Sequence, residues 1–531
     1  MRTQSPSASV GSSGCGSSES VQTALYGHHM EGQRLWEASA FPGILENCAC
    51  CGRDPPPEKD WPRCARCGLR SYCSRQHQVE SWKRSHSKTC GTGLPAPAGV
   101  RAASPEVLAT LLGEFGRASI DLAAACCQRA LAYKAVELND LARADGVQCL
   151  LATMEANRTH PALLRPACQL LLKLIARKVE LEDGAHRWSF SATTWVCDDV
   201  VAKRLIAGGA VAALVSAASA LPRNAAHCET CCAALGVFSS VSADGLAAVL
   251  GAQALQTIVS TMKLHAAQAS VNHACCSALA DALAADASAG IRAHAIPAIL
   301  TAMRTHLRQP QIQAHGAIAL TNAARGDAAA LDAALQPRGI DEASRVVVDA
   351  MRAHLQQVVV QQCGIDALAT LVSSASRLPA RASRRGAARS ALSASTAAAV
   401  VTAMHAHETS EEVQRHGSTA IAVLGVHDTA CVARAGGARA AILALRAQPN
   451  VWEAAWGALH CLAGSSAEGR DAVLHAGGVE VLQEVMESGD PAMEGTATGK
   501  SRIELIQELL CMLTDSTPAA KTKIDAATVH C

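Results

Sequence analysis

A chain of 531 residues has room for several domains or one long array, so the size of its core is no constraint. With 47 basic against 46 acidic residues the formal net charge is +1, which excludes a global field that would recruit nucleic acid or an acidic membrane and leaves only local patches. Hydrophobic residues make up 49% and aromatic ones 3%, and alanine dominates after about residue 100, a composition that favours helix and excludes a fold built from Val-, Thr- and aromatic-rich strands.

Residues 1–45 open with the Ser/Gly-rich stretch Ser5 to Ser20, too poor in large apolar side chains to offset the entropy of ordering, and are expected to be disordered. No signal-peptide core is expected there. Residues 48–90 then carry Cys48-x2-Cys51, Cys64-x2-Cys67, Tyr72-Cys73-Ser74-x2-His77-Gln78 and Trp82-x3-His86-x3-Cys90. Two Cys-x2-Cys knuckles followed by Cys/His pairs supply eight ligands, Cys48, Cys51, Cys64, Cys67, Cys73, His77, His86 and Cys90, enough for two tetrahedral zinc sites. A spacing of four puts Cys73 with His77, and His86 with Cys90, on one helix face, so each pair can close on one ion. The segment holds Pro55, Pro56, Pro57 and Pro62 and few large apolar residues. It has no core in which cysteines could simply be buried, and metal binding would provide its folding free energy.

The ordered pattern of Cys48 to Cys90, with Tyr72-Cys73-Ser74, Gln78 and Trp82, resembles the MYND zinc finger. The resemblance implies an interleaved arrangement: one zinc on Cys48, Cys51, Cys73 and His77, the other on Cys64, Cys67, His86 and Cys90. His77 stands where most members have cysteine, and Cys50 is a spare thiol. The resemblance further implies binding of proline-rich peptides of Pro-x-Leu-x-Pro type at Gln78 and Trp82, an aromatic ring and an amide suited to a preformed polyproline turn. Trp82 as the finger's own core is the competing reading. The finger has nine Lys/Arg against four Asp/Glu, but no base-reading residues on an exposed helix are evident, so nucleic acid is not expected as a partner.

Residues 91–103 form a Pro/Gly linker, and Ser104-Pro105-Glu106 reads as an N-cap followed by proline at the first helical position. Residues 104–515 repeat themselves. From Met262, Met303, Met351 and Met404, histidine follows three residues on (His265, His306, His354, His407), and Cys or Gly thirteen on (Cys275, Gly316, Gly364, Gly417). Met154 fits the apolar positions but has Asn157 in place of histidine. Glycine corners precede some origins, at Asp145-Gly146, Gly436-Gly437 and Gly477-Gly478, and several spacings are 41 residues, with insertions expected after Leu320 and after Leu368.

A unit of this length is the period of armadillo/HEAT solenoids, and the corner, the Met-x-x-His helix end and the following Ala-Leu helix resemble armadillo repeats. The expected fold is all-α: an armadillo/HEAT-like right-handed solenoid with a small N-terminal two-zinc finger domain and a C-terminal tail at 516–531. The resemblance implies that the last helix of each repeat lines a groove. Importin-α-like members carry an asparagine ladder there, whereas this chain has Asp281, Asn322, Thr370 and Val423, so nuclear-import cargo is not expected. The repeated histidines are expected to satisfy free carbonyls at helix ends rather than to share a metal. Arg377, Arg381, Arg384, Arg385 and Arg389, without an acidic residue between them, read as a solvated loop.

The remaining sixteen cysteines, such as Cys231-Cys232 and Cys275-Cys276, read as small buried hydrophobes in a reducing compartment. No apolar run long enough for a membrane span is expected, which places the protein inside the cell, in cytoplasm or nucleus. The sequence therefore points to a zinc-binding adaptor or scaffold with protein partners at both finger and solenoid, no catalytic residues and no membrane contact. A ubiquitin-ligase-like component using the double-zinc finger is the alternative. A relative of the SET-type lysine methyltransferases is weaker still, because the Asn272-His273 pair sits inside a repeat helix and no Gly-Glu-Glu-Leu-like strand exists.

Overall fold

Alanine and leucine at helical spacing account for nearly all of the ordered backbone in a computed structural model that describes residues 48, 50, 51, 62, 64, 72–83, 100, 103–117, 119–175, 177–180, 193–196, 199–377, 386–487 and 502–514. The expected disordered start at 1–45, the linker at 91–103 apart from Val100 and Ala103, and the tail at 516–531 lie outside the described residues. The chain divides into two compact units, Met1–Ala167 and Cys168–Cys531.

In the first unit, Ser104 is extended and Pro105 opens the helix Pro105–Phe115, as the sequence predicts. Helices Ile120–Leu131, Ala135–Arg143 and Gly146–Ala156 follow, and the last packs on Pro105–Phe115. The Tyr133 hydroxyl donates to the Ala103 carbonyl at 2.6 Å and ties down the start of the bundle. Asn157, in the histidine position, donates to Thr153 O within its own helix at 3.0 Å.

The second unit repeats a short, a middle and a long helix. The long helices Ala225–Val241, Ala269–Ala285, Pro310–Ala334, Val358–Arg377, Glu411–Arg434 and Trp452–Ser465 each pack on the next, forming one row. Pro310–Ala334 and Glu411–Arg434 are broken at Asp327 and Asp428, whose extended backbone and side chains cap the following short helix (Ala330 N–H to Asp327 Oδ1 2.9 Å, Cys431 N–H to Asp428 Oδ1 3.1 Å). Left-handed residues start the middle helices: Gly209, Gly436 and Gly477, but also Gln253 (φ 55°) and His294 (φ 60°). The glycine expected at this corner is thus dispensable, and a side chain there accepts a left-handed cost of about 1–2 kcal/mol.

The recurrent residues meet at the corner between middle and long helix. His265, His306, His354 and His407 each donate Nε2–H to a carbonyl of the preceding repeat, on Pro222, Ala266, Leu307 and Leu355, at 2.7–2.8 Å. The histidines do satisfy free carbonyls, yet those of the neighbouring repeat, so they join repeats rather than finish their own helix. Ten residues after each methionine stands an amide that the sequence reading passed over. Gln313, Gln361 and Gln414 each donate to two carbonyls at the end of their middle helix, those of the methionine and the histidine, at 2.7–2.9 Å. Asn272 donates to His265 O at the same corner and to Gln268 O at the start of its own long helix.

Insertions depart from the period in three places. One precedes the helix Ile340–Ala353, around Leu335 to Gly339, in the stretch after Leu320 where an insertion is expected. Another falls at 378–385, outside the described residues together with Arg381, Arg384 and Arg385. A third, missed in the sequence, holds an antiparallel ribbon in which Arg177–Glu180 pairs with Thr193–Val196, and its β-branched Val179, Thr193, Thr194 and Val196 were the available signal. The expectation on membrane-length runs needs correction: Val358–Arg377 is 20 residues long and apolar enough to cross a membrane by length and composition. Here it packs between Pro310–Ala334 and Glu411–Arg434, so its apolar surface serves the stack.

Glycine at the thirteenth position is explained by contact. A Cβ on Gly316, Gly364 or Gly417 would stand 2.4–2.5 Å from Met303, Met351 or Met404, all buried. We expect Gly364→Ala to destabilise the fold by about 1 kcal/mol, since overpacking of about 1–3 kcal/mol exceeds the helix-propensity gain of about 1 kcal/mol. In a Met351→Ala background the same substitution should become neutral or stabilising. Denaturant unfolding of the four chains of this cycle checks it, and an unchanged penalty in the Met351→Ala background contradicts the notch.

Candidate metal centre

The finger's described residues centre on one short helix, Arg75–Ser81. Ser74, extended at φ −153°, starts it by accepting the His77 N–H on its Oγ at 3.2 Å. That turn holds Cys73 and His77 one helical step apart, with Cys73 Sγ 2.9 Å from His77 Nδ1. The first knuckle comes to the same place: Cys48 Sγ lies 3.7 Å from His77 Nδ1 and Cys51 Sγ 3.7 Å from Cys73 Sγ. One ligand atom from each of Cys48, Cys51, Cys73 and His77 lies within 4.8 Å of the others. Ligands of one tetrahedral zinc, each about 2.0–2.3 Å from the ion, stand roughly 3.5–4 Å apart, so this set fits the ion.

Beneath it, Cys48, Cys64 and Tyr72 form the finger's small core, all under 5% exposed. Tyr72 N–H donates to Pro62 O at 2.9 Å and its hydroxyl meets Ser81 Oγ at 3.3 Å, fixing the knuckles to the helix. Of the second expected set, Cys64 is placed in this core, while Cys67, His86 and Cys90 lie outside the described residues. Cys50, read as spare, donates to Glu80 Oε2 at 3.7 Å and gathers with His77 and Glu80. That trio shares His77 with the four-ligand set, so one ion excludes the other, and three thiolates with an imidazole make the closed site.

Burial pushes Cys48 up, but hydrogen bonds from the backbone of Cys73, Cys51 and Cys50 outweigh it and bring it down to about 6. Its own desolvation and the neighbouring Cys48 and Cys51 sulfurs push Cys73 up to about 12.

Gln78 and Trp82 stand one turn apart on the same helix and its C-cap, the Trp82 N–H donating to Gln78 O. Trp82 is 37% exposed and the nearby Val79 47%, whereas Tyr72 is fully buried in the finger's small core. In the second unit, Asn322 donates its amide to Ala280 O of the preceding long helix at 2.9 Å, and burial pushes Asp281 up to about 6. A cleft of about 450 Å³ beside them is lined by Asp286, Ser288, Asn322 and Arg325.

Comparison with known proteins agrees with both parts. The MYND finger family model matches residues 48–90. An engineered protein of known crystal structure aligns with a TM-score of 0.59 at 18% identity, over 83% of this chain and 96% of its own. A chain from a structure of the phosphorylation switch that controls the interaction between cadherin and beta-catenin aligns with a TM-score of 0.59 at 14% identity, over 86% of this chain and 83% of its own. No curated protein matches the chain by sequence. Residues 48–90 thus match a zinc-binding module, and the helices after them share the fold of armadillo-like helical repeats.

Because the Ser74 hydroxyl positions His77 through the helix start, Ser74→Ala should weaken zinc binding about fivefold, the equivalent of a cap of about 1 kcal/mol. Competition with a chromogenic chelator measures it, and unchanged affinity would show that the helix forms without its cap.

Proposed function

We propose that this chain, a MYND finger followed by armadillo-like repeats, is a non-catalytic intracellular adaptor. Its finger holds two zinc ions and binds proline-rich peptide segments through Gln78 and Trp82, and its row of long helices binds a second protein. The observation that carries the reading is the half-exposed Trp82 indole beside Gln78, on a helix whose opposite end is bound into the metal cluster. A rigid aromatic and an amide on a helix fixed at its base offer a preorganised seat for a polyproline turn, whose low entropy in the free state favours association. A reducing interior keeps the thiols free to hold metal.

Zinc analysis tests the first half: the Cys48→Ser/Cys64→Ser double variant should contain two fewer ions per chain than wild type. A difference of one would mean that the second set is not a site.

For the peptide seat, Trp82→Ala in the full chain should reduce affinity for a synthetic Pro-x-Leu-x-Pro peptide at least tenfold while zinc content is unchanged, since interface aromatics are the residues most often worth more than about 1 kcal/mol. Retained affinity sinks the assignment, and so does loss of zinc, because the indole would then be structural.

A further inference from the structure

Most cysteines of the second unit behave as the composition suggests. Cys232, Cys275 and Cys276 are fully buried on adjoining long helices. Burial pushes the thiols of Cys275 and Cys276 up and keeps them protonated. One group differs, because an imidazole stands among its thiols. His227 and Cys231 are one turn apart on the helix Ala225–Val241, the same His-x3-Cys spacing as His86 and Cys90 in the finger, and Cys168 comes from the helix Pro161–Ile175. All three belong to the second unit and are 0–1% exposed.

Their donor atoms converge. Cys231 Sγ lies 3.6 Å from His227 Nε2 and is hydrogen-bonded to Cys168, and one ligand atom from each residue lies within 4.8 Å of the other two. Ligands around one thiophilic ion, at about 2.0 Å for nitrogen and 2.3 Å for sulfur, stand roughly 3.5–4 Å apart, so little movement brings all three onto one ion. We propose that Cys168, His227 and Cys231 form a further metal site, in the core of the repeats, for a closed-shell thiophilic cation, Zn2+ or Cu+.

Charge sets which cations fit. Two thiolates and a neutral imidazole carry two negative charges, which Zn2+ cancels as two protons leave. Cu+ reaches neutrality with one thiolate and one thiol, as one proton leaves. Either way the loaded site has no net charge, the condition for stability where water is excluded. Hard cations such as Mg2+ and Ca2+ are excluded by the sulfur ligands. In the ion-free protein His227 Nε2 donates to Ala217 O at 3.0 Å, and coordination through that nitrogen exchanges the hydrogen bond for a metal bond. Since the three ligands are 0–1% exposed, loading is expected to accompany folding.

The test uses the full chain with the finger disabled by Cys48→Ser/Cys64→Ser, refolded with Zn2+ or, anaerobically, with Cu+, then dialysed and analysed for metal. One equivalent of one of these ions should remain. It should be lost on adding Cys231→Ala and kept on adding Cys276→Ala, an equally buried truncation that controls for core damage. A finger-disabled chain that retains neither ion overturns the proposal. So does retention that Cys231→Ala leaves unchanged. Neither outcome bears on the finger, whose ions are counted by difference from wild type.

Discussion

The repeats depend on how each middle helix ends. A helix leaves its last carbonyls without intrahelical partners, and in a stack of helices those carbonyls face protein rather than water. An orphaned buried acceptor costs about 1–3 kcal/mol. Here Gln313, Gln361 and Gln414 reach back from the following long helix to bond two of them, and Asn272 bonds one. The histidine three residues past the methionine then bonds the same corner of the repeat before it. One side chain closes the corner within the repeat and another joins it to its neighbour, so local satisfaction and long-range register have a common origin.

That corner also accounts for how closely the helices approach. Met303, Met351 and Met404 of the middle helices fill notches left by Gly316, Gly364 and Gly417 of the long helices, and alanine is frequent at the other buried positions, so middle and long helices meet with little side-chain entropy to lose. Cysteine suits the same places as a small apolar residue. Where three such positions bring two thiols and an imidazole to one point, packing residues have ligand geometry at no added cost to the fold.

The finger solves the opposite problem. With Tyr72 as its one large buried side chain among the described residues, apolar burial of about 1.5–3 kcal/mol is far from enough to order it. The metal cluster supplies the rest, and Ser74 and the Tyr72 to Ser81 contact transmit that order to the helix that presents Gln78 and Trp82. An exposed aromatic on an otherwise marginal module is costly to keep rigid. Anchoring the base of its helix to an ion does this without a larger core.

Residue spacing alone specifies the modules and their chemistry. The Cys73-x3-His77 spacing sets two ligands on one helix face because i, i+4 geometry is local, the resemblance to the MYND finger supplies their partners Cys48 and Cys51, and the Met, His and Gly offsets recur because every repeat makes the same corner. Spacing does not reveal what each recurrent residue touches. The histidine's acceptor is about 40 residues away in the preceding repeat, and the amide at the tenth position looks like any buried polar residue until the carbonyls facing it are placed. Gln253 and His294 carry no turn signal, since the left-handed corner is imposed on them by the helices on either side. Sequence places Cys231 one turn from His227, but only the arrival of Cys168 from another helix, 63 positions earlier, adds a second thiol to that pair.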